Sequence, residues 1–380
     1  MGGHHGSFLS NREVQVVALC DVESVRLGIQ KQRAIDAYTE TFGKDAGYEG
    51  IDAYSDFRDL CARQDIDAVV NATPNHWHSL VAIEAMRNGK DVYSEKPLAR
   101  TINEGKAMRT AARHYGRVFQ TGSQQRSSRE FRIACELVRN GRIGKLHTIH
   151  VNVGGPPVDC YLPEEPVPEG LDWNFWLGPA PYRPYHSDIA PPHTYEGWPN
   201  WRSYRDYAGG MMTDWGAHHF DIAQWGLDRD GSGPCEVHPP DGQDYPYLTY
   251  KYDNGVVMYH GGAFGNAGVE FIGDQGKVRV NRGWFETEPA EIAQEVIGPG
   301  EIHLYDSPGH HENWLECIKT RRKPICDIEI GHRSATVCHI GNICYWLKRA
   351  LQWDPVTEQF DGDDDANRLL QRPMRSPWRI

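Results

Sequence analysis

Between residues 14 and 122, short apolar runs alternate with longer stretches whose apolar positions recur every three or four residues. "VQVVALC" (14–20), "DAVVNAT" (67–73), "DVYSE" (91–95) and "VFQTG" (118–122) have the near-continuous apolar character of strands buried on both faces. Between them, 24–42, 56–64, 79–88 and 102–115 read as helices; in the third, Ala82, Ala85 and Met86 share one face. Strands and helices in this alternation predict an α/β unit with a parallel sheet covered on both sides.

From about residue 146 the pattern changes. "LHTIHVNVGG" (146–155) alternates like a half-buried strand, and 247–264 and 269–280 read as hairpins, the first turning at Asp253-Asn254-Gly255. Residues 154–207 are rich in proline and aromatics and lack periodicity, a length of loop that usually carries function. Helices are predicted at 211–227, 311–319 and 332–351, the last two packing back on the first half, with a solvated acidic turn at 361–367. Two domains follow, 1–145 and 146–380, the second an α+β unit with an open, mostly antiparallel sheet.

Composition narrows the choices. With 380 residues, 39% of them hydrophobic, there is material for two cores. A net charge of −12 without a basic stripe argues against nucleic acid, and no apolar run is long enough for a bilayer-spanning helix. Nine scattered cysteines without a CxxC pair read as reduced thiols rather than zinc ligands, and no metal is expected. No signal peptide is visible, so a cytoplasmic location is expected.

The chemistry begins at the front. Gly2 and Gly3 precede a strand ending in Asp21, which follows Gly2 by 19 positions. This is the spacing of a dinucleotide fingerprint, whose glycines let the backbone approach a pyrophosphate and whose acidic residue binds the ribose hydroxyls. The third glycine falls on His5, with Gly6 one place late, and Met1 stands in the middle of the expected Gly-x-Gly. The carboxylate of Asp21 would repel a 2′-phosphate, so NAD is favoured over NADP. The first strand of such a unit is missing, and the reading frame is expected to start about 10 or more residues upstream. A twin-arginine leader in that extension would make the protein periplasmic.

Two further motifs end strands, where ligands bind in open parallel sheets: "NATPNHWH" (71–78) and "SEKPLA" (94–99). Together with "GSQQRS" (122–127), "GRIGKL" (141–146), "LDWNFWLGPAP" (171–181), "GGMMTDWGAHHFD" (209–221) and "HRSATVCHIGNI" (332–343), they resemble, over nearly the whole chain, the glucose–fructose oxidoreductase / inositol dehydrogenase (Gfo/Idh/MocA) family. The resemblance implies a Rossmann domain followed by an α+β domain whose open sheet forms homo-oligomer contacts. It also implies cofactor contacts from Gly2, Gly3, His4, Asp21, Thr73, Pro74, Asn75, His78, Glu95 and Lys96, and a catalytic role for Lys96.

Asp214 and His218, spaced i, i+4 on a predicted helix, share a face extended by Asp221, so Asp214 is expected to orient His218 as acid/base. His219 points about 100° round the helix. Aromatic faces in 171–215 suit the C–H faces of sugars, although many of these rings would serve to pin an irregular loop. Gln124, Arg126, Trp201, Arg202 and His219 are the expected substrate contacts, with a structural ion pair the competing reading for Arg126. His310 and His311 begin a helix and are read as capping or packing residues. The expected function is hydride transfer between NAD and a secondary alcohol of a sugar, polyol or glycoside. The alternatives are NAD-retaining cleavage of a glycosidic bond and a non-catalytic binding protein lacking the first strand.

Overall fold

The computed structural model describes residues 2–43, 50–262 and 268–380. Met1 and residues 263–264, at the end of the first expected hairpin, lie outside them. The first half runs α1 (Gly2–Leu9), β1 (Ala18–Cys20), α2 (Ser24–Phe42), β2 (Asp52–Tyr54), α3 (Phe57–Ala62), β3 (Ala68–Asn71), α4 (His78–Arg87), β4 (Asp91–Ser94), α5 (Ile102–His114), β5 (Phe119–Thr121) and α6 (Arg129–Arg139). Local chemistry sets several boundaries. Glu23 caps α2 by accepting from the Val25 and Arg26 amides, and Thr101 caps α5 by accepting from Glu104.

β1 pairs in parallel with β2, and β3, β4 and β5 form a separate parallel ladder. Among the described residues no strand lies between the two, so the layer is split into a two-stranded and a three-stranded ladder. Side chains join the parts. Arg63 donates to the Val17 carbonyl (3.3 Å) and pairs with Asp52 (2.8 Å). Val16 and Ala68 pack on one cluster with Phe8 of α1, Tyr93 and Trp314.

The second half comprises β6 (Leu146–Asn152), α7 (Trp173–Leu177), α8 (Met211–Asp214), α9 (Gly216–Gly226), β7 (Glu236–His238), β8 (Leu248–Lys251), β9 (Val257–His260), β10 (Gly268–Gly273), β11 (Lys277–Asn281), β12 (Trp284–Glu288), α10 (His310–Thr320), α11 (Ile328–Leu347), β13 (Leu351–Asp354), β14 (Gln359–Phe360) and α12 (Asp364–Arg368). Nine strands form one sheet in the order β12-β11-β10-β6-β9-β8-β7-β13-β14, antiparallel except at β6–β9. Helices α6, α9 and α11 pack on it through a large apolar core.

Helix α11 ties the halves together. Ile328 and Ala335 enter the core of the first half beside Val92 and Phe119. A Cβ at Gly331 would lie 2.1 Å from Thr121 Oγ1, so only glycine permits this close approach. The aromatic stretch 154–207 forms its own cluster from Trp173, Tyr185, Trp201 and Tyr207, which is why it holds shape with little regular structure. Two expectations are corrected. The 211–227 helix is broken at Trp215 into α8 and α9. The acidic turn is a cap, because Asp363 accepts from Ala366 to start α12 and pairs with Arg349.

Candidate active site

Glu95-Lys96-Pro97 leaves the C-terminal end of β4, with the Lys96–Pro97 bond cis. Lys96 Nζ donates to the Asp214 backbone carbonyl (2.8 Å) and to its Oδ1 (2.9 Å), and both side chains are largely buried. The break between α8 and α9 makes this contact: Asp214 ends one helix and turns its carboxylate to Lys96 instead of lying on a continuous face with His218. The expected Asp214–His218 pair is thereby corrected. His218 is 3% exposed and its Nδ1 has no hydrogen-bond partner among the described residues. Burial first, then the charges of Lys96 and Arg282, hold its pKa well below the usual histidine value. His219 is fully buried, stacks on Trp215 (5.8 Å between centroids) and has its pKa pulled down to about 4 by burial, with Arg282 adding to the effect.

Around this pair, Arg202 Nε lies 3.7 Å from Asp214 Oδ1, and its guanidinium stacks on Trp201 (4.3 Å) and Trp198 (4.8 Å). Two neighbours, Gln125 and Arg282, carry no signal in the sequence pattern. Arg282 follows β11 and places Cζ 4.6 Å from the centre of the Trp215 ring. With the Gln125 amide oriented by its partners, its oxygen accepts from Arg282 Nε and its nitrogen donates to the His218 carbonyl, each at 3.1 Å. Gln124, the expected contact, is exposed on the same turn.

Arg126 is not at the surface of the site. It is 1% exposed, pairs with Asp221 (2.7 Å) and Asp230 (2.6 Å), and lies 5.0 Å from the Trp225 ring. Its expected substrate role is corrected to a structural one, because both carboxylates already occupy its guanidinium. Asp221, read as extending the Asp214 face, is its partner and also accepts from Ser334.

The cofactor residues gather at strand ends. Asp21 directly follows β1, accepts from the Glu23 amide (3.0 Å) and has its pKa raised by burial. Thr73 Oγ1 donates to Asn71 (2.8 Å), and after Pro74 the Asn75 Nδ2 is buried without a partner among the described residues. Glu95 lies 2.6 Å from His4 Nε2, and His4 Nδ1 lies 3.0 Å from His311. Burial pushes the Glu95 pKa up, but His4 and Lys96 outweigh that and hold it below the usual carboxylate value. α1 starts at Gly2, so Gly2 and Gly3 form the first turn of a helix, where unpaired amides favour an anion. His78 is corrected from a cofactor ligand to a brace. It is buried, and its ring nitrogens lie 2.9 Å from the Pro97 and Thr73 carbonyls, tying the two loops together. A carboxylate after β1, an unpartnered amide after β3 and a lysine after β4 fit a dinucleotide laid across the strand ends.

His310 braces β5, with ring nitrogens 2.9 Å from the Thr121 carbonyl and from Ser127 Oγ. His186, in the aromatic stretch, lies 3.2 Å from Glu165.

Comparison with known proteins agrees with this reading. Residues 2–123 match the Gfo/Idh/MocA family model described as an NAD-binding Rossmann fold, and residues 158–380 match that of the C-terminal alpha/beta domain. The chain is 28% identical over 248 residues to a 1,5-anhydro-D-fructose reductase of Ensifer adhaerens, covering 63% of this chain and 57% of that one. It is 33% identical over 144 residues to a glycosyl hydrolase family 109 protein of Shewanella baltica, covering 38% and 30%. The matched stretches thus span about half or less of these relatives. An aldose-aldose oxidoreductase from Caulobacter crescentus shares the fold with a TM-score of 0.60 at 19% identity, covering 92% of this chain and 94% of that one. No helix among the described residues is long and apolar enough to cross a membrane. With both of its domain models matched in order, the chain belongs to the Gfo/Idh/MocA oxidoreductase family, and its first half is an NAD-binding Rossmann domain.

Proposed function

We propose that the protein is an NAD-dependent dehydrogenase acting on a secondary alcohol of a sugar or polyol. The observation that carries this reading is the Lys96–Asp214 contact at the end of β4. An ammonium has three N–H donors, and Asp214 takes two of them. The third is left for a substrate hydroxyl oxygen, and its charge stabilises that oxygen as the proton leaves. Burial keeps His218 uncharged at neutral pH, and its Nδ1, without a partner among the described residues, is a ring nitrogen open to take that proton. Bound NAD supplies the hydride acceptor. Asp21 would hold its ribose hydroxyls, the first turn of α1 its phosphates and the Thr73–Asn75 loop its nicotinamide half.

The test is NADH formation from a panel of sugars and polyols by the wild type and Lys96→Ala. The variant should lose about a hundredfold or more in kcat while its NAD affinity stays close to that of the wild type. Unchanged kcat removes Lys96 from the chemistry.

A second reading rests on the glycosyl hydrolase family 109 relative: retained NAD oxidises a sugar transiently and so labilises a glycosidic bond. Release of the aglycone without net NADH would favour it. We place the domain boundary at 145/146, where β6 opens the large sheet, and propose a homo-oligomer joined through that sheet, which sedimentation would test.

A further inference from the structure

The charges around Asp214 do not balance. Lys96 takes its carboxylate, and Arg202 lies 3.7 Å from the same oxygen. Arg282 comes from the turn between β11 and β12, and its charge is felt by Asp214, His218 and His219. Glu95, the other carboxylate near Arg202, is engaged by His4. Among the described residues no carboxylate lies within ion-pair distance of Arg282, and Arg202 has only the oxygen that Lys96 already uses. Elsewhere Arg109 pairs with Glu329 and Glu358, and Arg279 with Glu270 and Glu286. Three cations therefore face two carboxylates, Asp214 and Glu95, beside two histidines that burial keeps neutral.

Both guanidinium groups are also held in place before any ligand arrives. Arg202 stacks on Trp201 and Trp198 and donates to the Pro199 carbonyl (3.3 Å). Arg282 lies over Trp215 and donates to Gln125. A guanidinium fixed on an aromatic face keeps donors free in one plane, which matches the oxygens of a carboxylate or phosphate.

We propose that the substrate is an anionic sugar, carrying a carboxylate or phosphate whose charge is met by Arg202 and Arg282 while a hydroxyl meets Lys96. This rests on the dehydrogenase reading for what happens to the hydroxyl, but not for the binding itself.

The test is calorimetric titration of the NAD-loaded protein with glucuronate, galacturonate, glucose 6-phosphate, glucose and galactose. At least one anionic sugar should bind about tenfold or more tightly than its neutral parent, with affinity falling as salt rises. Which anion binds separates a carboxylate from a phosphate. Arg282→Gln, an exposed position that should fold normally, and Arg202→Gln should each lower the ratio of anionic to neutral sugar affinity about tenfold. Equal binding of neutral and anionic sugars, no binding by any of the panel, or variants with unaltered anion affinity would overturn the proposal. An anionic sugar that binds as expected but yields no NADH would count against the dehydrogenase reading and leave the anion site standing.

Discussion

Replacing Arg126 with leucine should unfold the protein more readily without touching substrate affinity. The guanidinium is 1% exposed and donates to Asp221 Oδ2 (2.7 Å), the Asp221 carbonyl (3.3 Å) and Asp230 (2.9 and 2.6 Å). Asp230 is partly exposed and can turn to water, but Asp221 is fully buried and would keep only its Ser334 bond (2.6 Å). Removing one partner of a buried pair costs roughly 3–5 kcal/mol, because the other charge stays dry and uncompensated. That is a large share of a typical stability of about 5–15 kcal/mol. Burial already raises the Asp221 pKa and Arg126 pulls it back, so in the variant the group moves further up. A carboxyl whose folded pKa lies above its unfolded value binds more protons folded than unfolded. Stability then falls as pH rises through that window, and the deficit of Arg126→Leu should shrink as pH is lowered from 7 towards 5. Urea unfolding followed by circular dichroism at several pH values measures this. Adding Asp221→Asn should recover part of the loss, since the stranded charge goes with it. A stability within about 0.5 kcal/mol of wild type, with KM for the sugar raised, would refute the argument and return Arg126 to the substrate site.

Asp214→Asn should lower kcat by about tenfold or more and alter the pH–rate profile, since the amide positions Lys96 without a counter-charge; an unaltered profile would make Asp214 merely structural. Burial pulls His219, His310 and His339 down to about 4 and His76 to about 3. Their unfolded forms take up protons first, so stability should be full above about pH 6.5 and fall through the interval down to about pH 4, by on the order of 1 kcal/mol per pH unit for each group; flat urea midpoints across that range would contradict this. Amides of β1, which has one ladder partner, should exchange on the order of a hundredfold faster than those of β4, which has two; equal protection would mean that the split layer opens as one unit.

The split itself was legible. The apolar run ending in Asp21 and the runs at 67–73, 91–95 and 118–122 were the only strand-like stretches the pattern offered in the first half. What could not be read was how the parts hold together. Strand runs such as 14–20 shrink to Ala18–Cys20 because pairing is available on one side only, and the residues before it serve as packing for Tyr38, Phe8 and Trp314. Helix α1 was hidden because glycine and histidine are weak helix formers; it forms because Phe8 and Leu9 bury themselves against two separate clusters. The α8–α9 break was equally silent. The 211–227 run keeps helical spacing throughout, and only the pull of Lys96 on Asp214 and the glycine at 216 distinguish it.

Site residues that end strands announced themselves, because backbone geometry alone puts them at one rim of the sheet. Lys96 and Asp21 are of this kind. Arg126, Arg202 and Arg282 are alike in sequence, each an arginine in a turn, yet one is sealed in a double ion pair and the other two are held on indole faces, Arg202 sharing Asp214 with Lys96. The difference lies in partners 80 or more positions away for Arg126, at Asp221 and Asp230, and in Trp215 and Gln125 for Arg282. Register does the placing: β11 pairs with β10 and β12, and the turn after Asn281 carries Arg282 out of the sheet to the end of α8. A single-residue slip in that hairpin would reverse the face on which each side chain emerges and take the charge away from the site. The electrostatics of the candidate active site are therefore a property of the second domain's sheet, while the position of its lysine is a property of the first, and α11 keeps the two aligned by packing against both.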